Sequence, residues 1–169
     1  MDTLSYPGLN MCTTSGLLTA TGGNTTHDTT VTINYVINGK IATKTAITAG
    51  ATPTTDYNTG AAFPALVGGA SVSGVAGQGA IVVWGLIAGG TVKCVQGPAS
   101  ALDIGGSFVL APQFPAVPDT MAPFAYQVLK AGATASATAI VFGTANWNAT
   151  GFTNAIVNVA VLPDNPQVS

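Results

Sequence analysis

Two residue types are missing altogether: the 169-residue chain contains no Glu and no Arg. Charged residues make up 6% of it, against about 25% in an ordinary soluble domain. The charges that remain are Asp2, Asp28, Asp56, Asp103, Asp119 and Asp164, with Lys40, Lys44, Lys93 and Lys130. Phosphate contacts need clustered Lys or Arg, and four scattered lysines make no track, so nucleic acid is not an expected partner. Histidine is almost absent too, with His27 standing alone. Cys12 and Cys94 are the only cysteines. Two distant cysteines build neither a disulfide framework nor a zinc motif, and buried free thiols are the expectation. No run approaches the ~18 apolar residues of a membrane-spanning helix. The longest, Ala80–Ala88 and Ala155–Leu162, have strand length, so no membrane partner is expected. The N-terminus, MDTLSYPGLNMC, has an acid at Asp2 and no basic stretch before an apolar one. That pattern is not a secretory signal, and the expectation is synthesis in a cytoplasm.

What is present argues for a folded chain that works in an assembly. Hydrophobic residues make up 47% of it and the formal net charge is -2, with a mean hydropathy of +0.47. Disordered chains show the reverse combination, low hydrophobicity with high net charge. Thr, Asn, Ser and Gln must supply most of the wetted surface. Copies of such a molecule repel one another weakly.

The pattern along the chain is that of short strands. VTINYVINGKIATKTAI (31–47) places Val31, Ile33, Tyr35 and Ile37 in alternation with Thr32 and Asn34. Asn38-Gly39 supplies the positive φ angles of a two-residue type I′ turn. The spacing predicts a hairpin of Val31–Ile37 with Lys40–Ala46, in which Ile37 faces Lys40 and Val36 faces Ile41. AIVVWGLIAGGTVKCVQG (80–97) predicts a second hairpin, its first strand, Ala80–Ile87, apolar enough to be buried on both faces. Gly85 beside Trp84 marks a bulge or a tight packing contact. Residues 68–79, GGASVSGVAGQG, read as a mobile, flexible link. The prolines of 111–123 predict an extended crossing without regular structure. Further strands are expected at Leu17–Thr21, Phe63–Val67, Ser107–Leu110, Phe124–Lys130, Thr138–Phe142 and Ala155–Leu162. In Phe124–Lys130, alternation puts Phe124, Tyr126 and Val128 on one side and Ala125, Gln127 and Leu129 on the other. No segment has a 3.6-residue apolar period with a charged face. The expected fold is all-β, a sandwich or barrel of short antiparallel strands with extended N- and C-terminal arms. Residues 1–28 form the N-terminal arm or irregular lead-in, 29–162 a single β domain, and 163–169 an extended C-terminal tail.

The residues offer little chemistry. A Ser-His-Asp or Cys-His constellation can be drawn on paper from His27, Asp28 and Cys12 or Cys94, but such partners must meet in space. The simpler expectation for His27 is an exposed loop position. The Asp residues stand far apart and mostly in turn contexts, where carboxylates bond their own backbone. No catalytic residue, cofactor-binding residue, metal ligand or cofactor is therefore expected, and the chain is read as non-enzymatic. The aromatics Trp84, Trp147, Tyr57, Tyr126, Phe114 and Phe152 offer a sugar-stacking platform or, more usually, core and interface anchors.

Four stretches carry a resemblance. NYVINGK (34–40), VVWGLIAGGTVKCVQG (82–97), APQFPAVPDTMAPFAYQVLKAG (111–132) and NWNATGFTNAIVNVAVLPDNPQ (146–167) resemble small virion proteins of tailed bacteriophages, of the capsid decoration or head-fibre type. The likeness runs from Val31 to the C-terminus and is one of pattern and phrase. It implies a structural protein on the capsid surface of a virion assembled in the host cytoplasm. It further implies the major capsid protein as partner and a homotrimer as the working form. The alternative is a β-structured binding module or adhesin of a phage tail or cell surface that recognises carbohydrate.

Overall fold

The computed structural model describes residues 10–20, 25–72, 75–132, 140–144 and 151–168. Among them the chain is an all-β sandwich, with no helix and three antiparallel sheets. The strands in chain order are β1 (Met11–Cys12), β2 (Leu18–Ala20), β3 (Thr26–Thr29), β4 (Ile33–Ile37), β5 (Lys40–Lys44) and β6 (Gly50–Ala51). They continue with β7 (Gly68–Val72), β8 (Val75–Ile87), β9 (Val92–Gln96), β10 (Ser100–Ala101), β11 (Met121–Ala131) and β12 (Phe152–Asn158).

The central sheet runs β10-β8-β11-β12, with β9 and β7 also paired to the long strand β8. The other two sheets among the described residues are β1-β4-β5 and β2-β3-β6. Side chains of β8 alternate between two cores, as the two-residue period of a strand requires. Ala80, Val82, Trp84 and Leu86 enter the larger one with Ile33, Tyr35 and Ile37 of β4, Leu18 of β2, and Phe63, Leu66 and Phe142. Ile81 and Val83 enter the other with Val95, Met121, Tyr126 and Val128. Among the described residues no further sheet covers this second core. The Pro-rich crossing covers it through Phe114 and Val117, and the C-terminal segment through Leu162 and Val168. Residues 111–118 have no regular structure, as the prolines dictate.

The predicted hairpin is β4–β5. Ile37 pairs with Lys40 and Val36 with Ile41, and Asn38 and Gly39 have φ of 50° and 73°. The second hairpin, β8–β9, pairs Leu86 with Val92 and Trp84 with Cys94. Gly85 is a tight contact: a Cβ there would stand 2.5 Å from Met121 Cγ and 2.9 Å from the Ala122 oxygen. Opposite it, the β8–β11 register slips between Pro123 and Ala125. Pro123 lies beyond the reach of β12, whose pairing with β11 spans Ala125 to Ala131, so its missing N–H leaves no gap in the ladder on that side.

Several expectations are corrected. Residues 68–79 are not a flexible link: the described ones form β7 and the start of β8. Gly79 serves close approach, since a Cβ on it would lie 2.7 Å from the Leu129 oxygen and 2.6 Å from Phe108 Cε1. The described part of 1–28 is not an irregular arm. It carries β1, β2 and β3, and both Cys12 and Leu18 are core residues. Phe124 does not share a side with Tyr126 and Val128; the bulge turns it into the larger core beside Ala125. Phe63–Val67 and Ser107–Leu110 are not strands but hold single bridges, Leu66 to Ile140 and Leu102 to Phe108. Of Thr138–Phe142, residues 138–139 lie outside the described ones, and Phe142 begins a turn. The last strand starts at Phe152 and ends at Asn158, whose side-chain amide bonds the Leu18 backbone. Residues 163–168 contain no strand, and the Gln167 N–H donates to the Tyr126 hydroxyl at 2.9 Å.

Candidate functional site

His27 is not an exposed loop residue. It lies in β3, the middle strand of its sheet, and is 2% exposed. Its ring centroid lies 5.0 Å from that of Trp84, the planes inclined at 59°. Neither ring nitrogen has a hydrogen-bond partner, so the structure does not join His27 to Asp28 or to either cysteine in a relay. Asp28 accepts a hydrogen bond from the Ala49 N–H, pinning the turn that leads into β6. The cysteines are free and buried. Burial pushes the Cys12 thiol up to about 12, and its sulfur stands 3.6 Å from the Ala122 oxygen. Burial, then the charge of Asp56, raises the Cys94 thiol well above its ordinary value. Both remain protonated thiols, poor nucleophiles at neutral pH.

The remaining carboxylates do what turn carboxylates do, with one addition that the sequence did not announce. Asp56 accepts from the N–H groups of Asn58 at 2.8 Å and Thr59 at 3.3 Å. Its second oxygen accepts from the N–H of Gln96 at 2.8 Å, which ties the 55–62 loop to β9. Asp103 accepts from the Ser107 N–H at 2.8 Å. No cluster of three or more metal-ligating side chains exists among the described residues.

The aromatic platform is not assembled on the surface by the described residues. Trp84 and Tyr126 are fully buried, Trp84 donating to Gln127 Oε1 at 3.2 Å and packing edge-on to Phe142. Phe152 is buried, and Phe114 packs edge-on to Tyr126. Tyr57 is half-buried, with Lys93 Nζ 5.8 Å from its ring centre. Trp147 lies outside the described residues.

What the surface does present is aliphatic. Ile41 is 82% exposed, Ile104 81% and Leu110 76%, and Val109 and Val161 also stand in solvent. Ile41 lies on β5, the end strand of its sheet, beside a groove of about 360 Å³ formed with Tyr35, Ile37, Ala42, Ala88 and Gly89. Lys40 and Lys44 flank it on the same strand, the arrangement by which an edge strand avoids indiscriminate pairing. Ile104, Val109 and Leu110 belong to the loop after β10. Val161 borders a second groove of about 460 Å³, walled by Met11, Val117, Pro118, Met121 and Leu162. Composition assigned most of the wetted surface to Thr, Asn, Ser and Gln, and did not point to these residues. These aliphatics follow turns or occupy an edge, and no periodicity marks them.

No protein-family model matches the chain, and neither does any curated protein or solved structure.

Proposed function

We propose that the chain is a non-enzymatic structural protein of a phage particle that binds the capsid surface as a decoration protein, as a homotrimer with the major capsid protein as its partner. The observation that carries this reading is the pairing of large exposed aliphatics with a near absence of charge. Ile41, Ile104, Val109, Leu110 and Val161 stand in solvent on a chain with four lysines, six aspartates and no other charged side chain apart from a neutral histidine. A free molecule gains nothing from such a surface, whereas a subunit buries it against a neighbour. The resemblance of the four stretches named above to tailed-phage head proteins supplies the choice of neighbour. The sandwich suits the role, because pairing in an assembly covers end strands such as β5.

The test has two steps. Size-exclusion chromatography with light scattering should give three times the chain mass of 16.7 kDa. Mass spectrometry of purified particles of the encoding phage should then find the chain at a fixed ratio to the major capsid protein. A monomer removes the trimer, and absence from the particles removes the capsid role.

A further inference from the structure

The contact between β3 and the central sheet is built on a histidine whose ring nitrogens make no hydrogen bond of normal geometry. The His27 backbone pairs with Ala20 on one side and Gly50 on the other. One face of its ring meets Trp84. On the Gly50 side the fit is close enough that an added Cβ would lie 3.1 Å from Cε1 and 3.2 Å from Nε2. A neutral imidazole tolerates this place at modest cost. An imidazolium would bring a full charge and two N–H donors into a site that offers its nitrogens no hydrogen bond of normal geometry. The charged groups that reach the ring are few. Asp28 on β3 favours the charged form, Lys44 on β5 opposes it, and the Gly50 backbone adds a weaker favourable pull. Trp84 on β8 and residues 50–51 of β6 carry no charge, and Cys94, paired with Trp84 on β9, is a protonated thiol. Burial outweighs the rest and holds His27 below its ordinary 6.5. Leu18 in the core and the Asn158 side chain also hold the sheet: Asn158 Oδ1 accepts from the Leu18 N–H at 2.6 Å and Nδ2 donates to the Leu18 oxygen at 3.4 Å.

We propose that His27 is an acid-operated latch, whose protonation opens the β2-β3-β6 sheet away from Trp84 while β8 and β11 stay paired. The proposal is independent of the capsid reading, since the purified chain suffices to test it. Native-state hydrogen exchange followed by NMR, corrected for the intrinsic pH dependence of exchange, reads the two parts separately. The Thr29 and Thr52 amides, bonded to the Ile47 and Thr25 oxygens, report on the small sheet. The Val83 and Tyr126 amides report on the central one. Protection of the first pair should fall about tenfold for each pH unit below about 6.5, over the interval in which the open form takes up the proton and the closed form does not. Protection of the second pair should stay far higher throughout and persist at the pH where that of the first is lost, since global unfolding takes up the same proton. In His27→Phe the fall should vanish; should that variant not fold, His27→Gln and the wild-type His27 Cε1–H titration serve. The wild-type midpoint must then coincide with the loss of protection. The latch is overturned if small-sheet protection does not change, if both sheets lose all protection at the same pH, or if an uncharged variant keeps the pH response.

Discussion

Asp56 is 4% exposed, and a carboxylate so placed is stable only when its oxygens are occupied. Three backbone N–H groups, from Asn58, Thr59 and Gln96, occupy them. Asp56→Ala should therefore cost roughly 2–4 kcal/mol in urea unfolding, because it strands buried donors. Exposed Asp103, with its local turn, should cost under about 1 kcal/mol on the same change. Below neutral pH, His27 makes stability depend on pH. The unfolded chain takes up this proton near the ordinary 6.5, and the folded chain only at lower pH. Between the two the unfolded state holds more protons, so stability rises with pH in that window and this contribution is flat above it. Thermal midpoints measured from about pH 7.5 to 5 should fall on the acid side for wild type, and more shallowly for His27→Gln. Neither residue's importance was legible in the sequence. Asp56 looked like any turn aspartate, because its bond to Gln96 spans forty positions. His27 sits among threonines and glycines, which read as loop, and only pairing with β2 and β6 buries it.

At the scale of elements, glycine divides into two kinds. Gly39 faces open space with φ of 73°, and so does Gly89 with φ of 88°. Replacing either with Ala should cost only the left-handed backbone, about 1 kcal/mol. Gly85 meets Met121 and the Ala122 oxygen, so Gly85→Ala should cost roughly 1–3 kcal/mol through overpacking. Adding Met121→Ala should not restore it, since the Ala122 backbone oxygen remains in the way. Chemical denaturation of the three single variants and the double mutant checks the ranking. The β4–β5 hairpin was readable because its turn chemistry and its alternation lie within a few residues of each other. The strand character of 68–72 and 75–79 was not readable: small residues give no alternation, and the reason for glycine at 79 is the approach of Phe108 and Leu129 from distant sequence. The phase of β11 was misread for a similar cause. Alternation holds on either side of Phe124, but the slip opposite Gly85 inverts it.

For the whole molecule, the exposed aliphatics make a prediction about association. Ile104→Asp combined with Leu110→Asp should weaken the proposed trimer, as read by light scattering across a dilution series. The thermal midpoint of the dissociated chain should stay within about 2 °C, because neither side chain packs in either core. With so little charge to screen, raising the salt concentration should not dissociate the assembly, unlike one held by ion pairs.

The sequence by itself determined the all-β class, the hairpins at Asn38-Gly39 and Ala88–Gly90, the extended Pro-rich crossing and the burial of Ala80–Leu86. Each of these follows from local chemistry: turn residues fix φ, proline removes a donor, and an unbroken apolar run must leave water. Tertiary structure alone decided that the crossing roofs the second core, that Phe124 changes sides and that His27 meets Trp84. It also decided that Ile41, Ile104 and Leu110 stay outside while aliphatics of the same kind go in. A residue's hydrophobicity states what its burial is worth; which residues are buried depends on the partners that distant parts of the chain bring to them.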